Sequence, residues 1–391
     1  MSEDRPEIPP ERYVARLGAA QSLTREAGLD ALLVGVGADL RYLTGYTALP
    51  LERLTLLIAP ADGPAALVVP RLEALPALGS PAAVAGAVEV VTWEETEDPI
   101  ALAASLVRAA APGAAPGGLG LAVSDRLLAV FLLGFQAHLP GVAWSLASAV
   151  LRRLRVRKDR EEIELLRLAA EAADRVVMAI SNGRLVGRTE ADVARDVRER
   201  LVDEGHDLAE FSIVASGPES ASPHHGASDR VIGPGEPIVL DIGGPFDGYG
   251  SDITRTIWVT GGDPGRHGPD AEFRRIHALV REAQRAATEA VRPGVPAAEI
   301  DAVARRVIED GGYGPRFIHR VGHGIGLEGH EDPYLVASNP EALEPGMAFS
   351  IEPGIYLEGR YGVRLEDIVV CGTDGAIVLN QAPYDLLVVD G

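Results

Sequence analysis

Charged side chains embedded in apolar runs constrain this chain more than any other feature of its sequence. Five of them lie in or beside such runs in the C-terminal third: Asp241, Asp252, His323, Glu352 and Glu366. An unbalanced charge is costly in an apolar interior, so the fold has to bring these side chains together and balance them. Four carboxylates and one imidazole around two divalent cations would meet that requirement. The sequence therefore predicts a dinuclear metal site.

Two pairs of these acids are spaced as in β-hairpins. Asp241 and Asp252 lie 11 residues apart around a turn at residues 248–250, which predicts a hairpin with both carboxylates on one face at its open end. Glu352 and Glu366 bracket a second hairpin that turns at residues 359–362. A site rich in carboxylates with one imidazole favours Mn²⁺ or Co²⁺ over a thiolate-type zinc site.

The histidine of the set is predicted to lie on a strand. His319 and His323 have the four-residue spacing of a zincin helix, in which position 320 would be a glutamate. Arg320 stands there instead, and the glycines at 322, 324 and 326 would destabilise a helix. A glycine-rich strand, whose small neighbours let a substrate approach, is the better interpretation of His323.

The order and the local contexts of the five ligands resemble those of the pita-bread metallopeptidases, the family of aminopeptidase P, prolidase and methionine aminopeptidase. The matching contexts are PIVLDIG, YGSDITRT, VGHGIG, SIEPG and VRLED, and the motif match spans residues 224–366. A weaker likeness covers the rest of the chain. The resemblance implies a creatinase-like α/β domain over residues 1–152 and a duplicated α+β pita-bread catalytic domain over residues 158–391.

The N-terminal part alternates strands and helices, as such a domain requires. Apolar runs at residues 31–36, 54–58 and 65–69 predict buried strands, and residues 39–46 resemble the strand and short-helix signature of creatinase-type domains. No catalytic constellation precedes residue 150. We interpret the basic stretch 152–158 as a solvated linker at the domain boundary rather than a phosphate site.

The second domain contains an internal repeat with an offset of 107 residues. The matched positions are Gly187, Val193, Val197, Leu201 and Gly205 in one copy, and Gly294, Ile300, Ala304, Ile308 and Gly312 in the other. Each copy predicts a turn glycine, an amphipathic helix and a terminating glycine. Two such units are consistent with the pseudo-twofold pita-bread fold, in which the metals lie between the halves.

The resemblance implies a role for each ligand. Asp241 and Asp252 would bind one metal. Asp252, His323 and Glu352 would belong to the shared site. Glu366 would bridge two divalent ions, with Mn²⁺ expected and Co²⁺ or Zn²⁺ as alternatives. The ions would activate a water molecule for attack on a peptide carbonyl, while Glu352 would carry the proton to the leaving amine.

Four further residues match residues that assist catalysis in the family, and we refer to them as helpers. His224 corresponds to a histidine that handles protons, with His225 as the alternative, and His330 to the histidine that contacts the substrate carbonyl. His319 matches a histidine that lines the same pocket. Arg364 lies two residues before Glu366 on the same strand face, where it would orient the acids.

The substrate expected from the resemblance is a small peptide with proline in second place. Some prolidases hold the carboxylate of a dipeptide with an arginine after the last histidine, and Tyr334 occupies that position here. We therefore favour an Xaa-Pro aminopeptidase, with an Xaa-Pro dipeptidase as the alternative. A metal-free pita-bread binding module is the remote alternative, against which the intact ligand set argues. The family also implies a homodimer.

Charge and apolar content exclude other partners. The net charge of −21, from 57 acids and 36 bases, disfavours nucleic acid and anionic membrane surfaces. The polar residues 1–6 lack the apolar core of a signal peptide, and no uncharged apolar stretch approaches the roughly 20 residues that span a bilayer. One cysteine, Cys371, excludes an internal disulfide. We expect a soluble cytoplasmic protein.

Overall fold

The computed structural model describes residues 6–110 and 118–391, and the chain divides into two compact units, Met1–Arg155 and Val156–Gly391. The elements of the first unit are α1 (Pro10–Glu26), β1 (Ala31–Gly35), α2 (Ala38–Thr44), β2 (Leu56–Pro60), β3 (Ala65–Pro70), α3 (Ala74–Leu78), α4 (Pro81–Val84), β4 (Val88–Trp93), α5 (Pro99–Ala110), β5 (Gly120–Val123), α6 (Ala129–His138), β6 (Ala143–Leu146) and α7 (Ser148–Arg155).

A mixed β-sheet lies at the centre of the first unit. Over the described residues its strand order is β4-β3-β2-β1-β5-β6, with β1 antiparallel to β2 and parallel to β5. Every residue of β1 and β2 is buried, as expected for apolar strands covered on both faces. Val107 of α5 and Phe135 of α6 belong to the core on one face. The predicted α/β architecture is confirmed, and the three predicted strands match β1, β2 and β3 closely.

The second unit is longer and carries the predicted site. Its elements are α8 (Arg160–Ser181), α9 (Glu190–Asp203), β7 (Phe211–Ser216), β8 (Glu236–Phe246), β9 (Tyr249–Val259), α10 (Pro264–His267), α11 (Ala271–Ala290), α12 (Ala297–Asp310), β10 (Gly322–Gly324), β11 (Glu331–Leu335), β12 (Ala348–Ile351), β13 (Gly354–Leu357), β14 (Tyr361–Arg364), β15 (Asp367–Cys371), β16 (Ala376–Val378) and β17 (Val388–Val389). Short 3₁₀ helices cover Arg71–Glu73, Gly217–Ala221 and Gly314–Arg316.

Helices cover the sheets of the second unit. Among the described residues the strand orders are β17-β9-β8-β7, β11-β10-β12-β15-β16 and the pair β13-β14. Buried residues of α8 and α9 pack on β7, β8 and β9, and those of α11 and α12 pack on β12 and β15. Helix α8 begins at a capping box, because Asp159 accepts a hydrogen bond from the Glu162 N–H and the Glu162 side chain accepts from the Asp159 N–H.

The predicted repeat coincides with two helices of equal length. α9 and α12 both have 14 residues, and their first residues, 190 and 297, differ by 107. A glycine with positive φ precedes each helix, Gly187 (86°) and Gly294 (88°), and another follows each, Gly205 (107°) and Gly312 (87°). These φ values lie in the region that glycine adopts without strain. A requirement of the backbone conformation therefore explains why glycine occurs at the matched positions.

The first predicted hairpin forms from β8 and β9. Its turn residues Asp247 and Gly248 both have positive φ, 48° and 81°, as a type I′ turn requires. Asp241 pairs with Thr254 and Gly243 pairs with Asp252, so both aspartates lie on one face, as predicted. Their location at the open end of the hairpin was wrong. On the side of Asp241 away from the turn, five more residues of β8 pair with β9, because the apolar run 237–240 belongs to the same strand.

The second predicted hairpin forms from β13 and β14, with its turn at residues 358–360. Glu352 lies just before the hairpin and Glu366 just after it, as predicted. His323 lies on β10 rather than on a helix, which also agrees with the prediction.

No helix within the described residues is both long enough and apolar enough to cross a membrane. The absence of a signal peptide was expected from residues 1–6, of which residues 1–5 lie outside the described residues.

Candidate active site

A cavity of about 860 Å³ in the second unit brings the predicted site residues together. Its wall includes the five predicted ligands and the four predicted helpers: Asp241, Asp252, His323, Glu352 and Glu366, then His224, His319, His330 and Arg364. Phe211, Ile213, Ser222, Pro223, Ile318 and Arg320 complete the lining. Residues that are far apart in sequence therefore meet at one space, large enough for a small peptide.

Three predicted ligands are close enough to share a metal ion. One candidate ligand atom each from Asp252, His323 and Glu366 lies within 4.8 Å of the other two, and all three side chains are buried. Asp241 and Glu352 border the same cavity. Glu352 Oε1 is 3.4 Å from His323 Nε2, and Asp252 Oδ2 is 3.6 Å from the same nitrogen.

The β8–β9 hairpin positions Glu366. The Glu366 N–H donates to the Thr254 carbonyl (3.1 Å), and the Thr254 hydroxyl donates to Glu366 Oε2 (2.6 Å). Glu366 Oε1 and Asp241 Oδ1 are buried and have no hydrogen-bond partner in the described part of the chain. Buried carboxylate oxygens without partners are costly, and cations would satisfy them.

Glycines on both sides of His323 let β10 fit against its neighbours. A Cβ atom at Gly322 would lie 1.9 Å from the Ser350 carbonyl oxygen, and one at Gly324 would lie 2.3 Å from the Asp332 carbonyl oxygen. His323 Nδ1 is 3.1 Å from the Gly324 carbonyl, which can only accept, so Nδ1 carries the proton. Nε2 therefore points its lone pair at the acids and is free to bind a metal.

The electrostatics of the cluster call for added positive charge. Burial, together with the negative charge of Glu366, raises the pKa of Asp252 well above its usual range. Burial and the charge of Glu352 raise the pKa of Glu366 in the same way. Burial, with a smaller contribution from Asp241, raises the pKa of Glu352 to about 7, although Arg364 acts in the opposite direction. Without cations the cluster would take up protons, so this donor set fits divalent metal ions.

Arg364 links the acids to the wall of the cavity. Its Nη2 donates to Asp241 Oδ2, its Nε donates to the Thr254 hydroxyl (3.1 Å), and its Nη1 donates to the Tyr356 hydroxyl (2.8 Å). His319 Nε2 lies 3.0 Å from the same hydroxyl, and His319 Nδ1 is 2.7 Å from the Arg320 carbonyl. The Tyr356 hydroxyl therefore accepts from Arg364 and donates to His319, whose pKa burial lowers to about 4. Among the predicted ligands, Arg364 thus makes a direct hydrogen bond to Asp241.

Tyr356 was missed by the sequence analysis, although the hairpin carried a signal for it. In the β13–β14 register Tyr356 pairs with Gly362 and Gly354 pairs with Arg364, so Tyr356 and Arg364 share one face. Counting outward from the turn at Gly359 would have placed Tyr356 and Arg364 on the same face of the hairpin. Arg320 and Phe211 were also missed, and no pattern in their segments indicates a cavity wall.

The two adjacent histidines of the His224–His225 pair have different surroundings. His224 lines the cavity. His225 Nε2 is 2.8 Å from Glu190 Oε2, a buried carboxylate that also accepts from the hydroxyls of Ser216 and Ser228. The structure thus places His224 at the cavity and commits His225 to a separate polar cluster.

His330 stacks near the predicted ligand His323, with ring centroids 3.9 Å apart at an angle of 56°. Burial, together with the positive charge of Arg320, lowers the pKa of His330. A neutral imidazole on the cavity wall can donate one hydrogen bond to a substrate carbonyl oxygen.

Comparisons with known proteins match the chain to two family models. Residues 164–373 match the model of metallopeptidase family M24, and residues 16–157 match that of the creatinase/prolidase N-terminal domain. The probable dipeptidase PepE of Mycobacterium tuberculosis strain H37Rv is 47% identical over 380 residues, which cover 97% of each chain.

Solved structures are similar over nearly the whole chain. Dipeptidase PepE from Mycobacterium ulcerans superposes with a TM-score of 0.88 at 45% identity, covering 98% of this chain and 99% of that one. A recombinant prolidase from Thermococcus sibiricus superposes with a TM-score of 0.87 at 35% identity, covering 98% and 100%. The second unit is therefore the pita-bread domain that the resemblance implied. This chain belongs to metallopeptidase family M24 and carries a creatinase/prolidase N-terminal domain.

Proposed function

We propose that this protein is a dipeptidase that hydrolyses Xaa-Pro dipeptides with the help of two divalent metal ions. The observation that carries the proposal is the set of ligand side chains that line one cavity, the buried Asp241, Asp252, His323 and Glu366 and the half-buried Glu352. Support for the substrate class comes from relatives named as dipeptidases and a prolidase that match the chain over almost its full length.

The five ligands divide into two groups in this proposal. Asp241 and Asp252 would hold one ion, Asp252 would also contribute to the second together with His323 and Glu352, and Glu366 would contribute to both. Mn²⁺ is the proposed metal, because a donor set with oxygen atoms in the majority and one imidazole suits a hard divalent cation. When bound, two such ions supply an activated water and stabilise the negative charge that develops on the carbonyl oxygen.

The other side chains of the cavity act on the substrate. His330 donates to the carbonyl oxygen of the scissile bond, and His224, which lines the same cavity, transfers protons during the reaction. Glu352, which accepts from the Ser350 hydroxyl (3.2 Å), carries a proton from the attacking water to the proline nitrogen. Arg364 keeps Asp241 in place through the hydrogen bond to its Oδ2 atom.

The dipeptidase activity replaces the aminopeptidase preference of the sequence analysis. That preference depended on one position, Tyr334, where some prolidases have an arginine. A single side chain is weaker support than 47% identity with a probable dipeptidase over 97% of the chain. The alternative named from the sequence, an Xaa-Pro dipeptidase, is therefore the better-supported function.

A metal-reconstitution assay tests the proposal. The protein is stripped of metal, reloaded with Mn²⁺, Co²⁺ or Zn²⁺, and assayed with Ala-Pro, Ala-Pro-Ala and Ala-Ala. We expect no turnover without metal, and with Mn²⁺ we expect faster hydrolysis of Ala-Pro than of the other two. The Glu352→Ala variant should lose at least about 100-fold in kcat. The exposed Glu358, six residues away in the hairpin turn, supplies the matched control Glu358→Ala, which should retain full activity.

Other outcomes would point elsewhere. Faster cleavage of Ala-Pro-Ala than of Ala-Pro would restore the aminopeptidase assignment. Equal hydrolysis of Ala-Ala and Ala-Pro would retain the dipeptidase but remove its proline preference. Bound metal without hydrolysis of any peptide would favour the binding-module alternative.

A further inference from the structure

Arg320 has a position on the cavity wall that the proposed chemistry does not use. It is half-buried and lines the cavity together with His330 and Glu352. Its guanidinium carbon lies 4.5 Å from the centroid of the Tyr334 ring, within the range of a cation–π contact. Tyr334 on β11 therefore supports the guanidinium of Arg320, which lies two residues before β10.

The backbone around Arg320 is held in place from both sides. Arg305 donates to the His319 carbonyl (2.9 Å), and Asp301 accepts from the Val321 N–H (3.0 Å). Asp301 and Arg305 form an ion pair with each other at 2.9 Å. The residues before and after Arg320 are thus fixed to one helix, α12, and the side chain starts from a rigid base.

The guanidinium of Arg320 has no anionic partner within residues 6–110 and 118–391. Its wall neighbour Arg364 pairs with Asp241, and Arg305 pairs with Asp301. No carboxylate of the described chain lies within ion-pair distance of Arg320, which leaves its N–H donors available to a ligand. A guanidinium presents a fork of donors that matches a carboxylate, and such pairs are among the stronger hydrogen bonds in proteins.

We propose that Arg320, supported by Tyr334, binds the free α-carboxylate of a two-residue substrate and thereby selects dipeptides. The inference rests on the proposed dipeptidase function and adds the residue that recognises substrate length. In a dipeptide the carboxylate lies one residue beyond the scissile bond, whereas a tripeptide has a neutral amide there. The acids of the cavity would repel that carboxylate, and Arg320 offsets the repulsion at the wall.

This arrangement accounts for the tyrosine at position 334. Some prolidases have an arginine at this position to hold the carboxylate of a dipeptide. In the structure the positive charge comes from the neighbouring segment. β10 pairs with β11, and the guanidinium of Arg320, two residues before β10, reaches the ring of Tyr334 on β11. Tyr334 contributes its ring instead of a charge.

The test compares substrates with and without the free carboxylate. Ala-Pro and Ala-Pro-amide are assayed with the Mn²⁺-loaded wild type and with Arg320→Met and Arg320→Lys. For Arg320→Met we expect KM for Ala-Pro to rise about 10- to 100-fold, the value of a charge-assisted hydrogen bond, with little change in kcat. Turnover of Ala-Pro-amide should not change, which also reports that the variant is folded. Arg320→Lys should give an intermediate KM, since it keeps the charge but not the fork.

Arg316→Met is the matched control. Arg316 is exposed, lies four residues before Arg320 and does not line the cavity, so its variant should behave as the wild type with both substrates. Calorimetry supplies a readout without turnover. Ala-Pro should bind the wild type more tightly than its amide, and this difference should disappear in Arg320→Met.

The outcomes separate the inference from the proposed function. If Arg320→Met keeps the wild-type preference for Ala-Pro, or loses both substrates equally, another group binds the carboxylate and the inference is wrong while the dipeptidase stands. If the wild type cleaves the amide and Ala-Pro-Ala as well as Ala-Pro, the dipeptidase assignment itself fails. If no peptide is cleaved, the proposed function fails, and equal binding of Ala-Pro and its amide would overturn the inference as well.

Discussion

Replacement of Arg255 by methionine should destabilise the catalytic domain by at least about 4 kcal/mol. Arg255 and Asp367 form a buried ion pair at 2.8 Å, with side-chain exposures of 2% and 0%. The guanidinium also donates to four backbone carbonyls, of Thr254 (3.0 Å), Glu366 (2.7 Å), Ala382 (2.7 Å) and Pro383 (3.1 Å). One side chain thus ties β9 to the segment after β14 and to the chain terminus.

The magnitude follows from what the variant leaves behind. Methionine fills a similar volume but leaves Asp367 buried with a negative charge, and breaking a buried pair in this way costs about 3–5 kcal/mol. Four carbonyls also lose a donor, each worth on the order of 1 kcal/mol. Because a domain is stable by only about 5–15 kcal/mol, the loss should be large enough to measure without difficulty.

The assay is urea unfolding of the full chain, followed by far-ultraviolet circular dichroism. Arg285→Met is the matched control, since Arg285 makes ion pairs with Glu282 and Glu289 on the exposed surface of α11. Exposed pairs of this kind contribute less than about 1 kcal/mol. The double variant Arg255→Met/Asp367→Leu should recover part of the loss, because it removes both buried charges.

Equal losses of unfolding free energy for Arg255→Met and Arg285→Met would refute the reasoning, because burial would then make no difference to the pair.

A second readout is the affinity for the metal. Since Arg255 holds the Glu366 carbonyl, we expect the variant to bind Mn²⁺ about 10-fold more weakly, as for other residues that support metal ligands. Unchanged affinity would restrict its role to stability.

Two further predictions concern pH and strand packing. Burial lowers the pKa of His206 and of His277 to about 4, so both are neutral when folded and gain protons on unfolding below pH 6.5. The free energy of unfolding should therefore fall by about 2 kcal/mol per histidine from pH 7.5 to pH 5. If the free energy of unfolding does not change with pH in the wild type or in His277→Phe, the prediction is wrong. Gly322→Ala should cost several kcal/mol and most of the activity, because its Cβ would lie 1.9 Å from the Ser350 carbonyl oxygen. Gly18→Ala in α1, where no atom of the described neighbours lies within 4 Å of the added Cβ, should be neutral or stabilising by up to about 1 kcal/mol in the same denaturation assay.

Local patterns were sufficient to predict much of the catalytic domain. The alternation of side chains along a strand has a period of two, so the separation of Asp241 and Asp252 across a glycine turn was enough to place them on one face. The glycines around His323 excluded a helix because glycine is costly there. The repeated glycines at 187 and 294 marked the starts of two equal helices, because a positive φ is a local requirement.

The extent of the hairpin was not predictable in the same way. Both aspartates were expected at the open end of the hairpin. Instead, β8 and β9 pair along 11 residues, since neighbouring strand β7 and helices α8 and α9 cover both the apolar and the acidic stretches. Strand length depends on what packs against the strand, and one segment does not contain that information.

The sequence by itself determined which residue types are available to bind metal and on which strand faces they lie, because backbone periodicity and glycine conformations are local properties. Only the tertiary structure decided which neighbour each side chain meets. It turned His224 to the cavity and His225 to Glu190, and it brought Arg320 onto Tyr334. Adjacent histidines have the same local pattern, and their difference arises from residues far away in the chain. Charges and hydrogen bonds act through space, so their partners are chosen by packing.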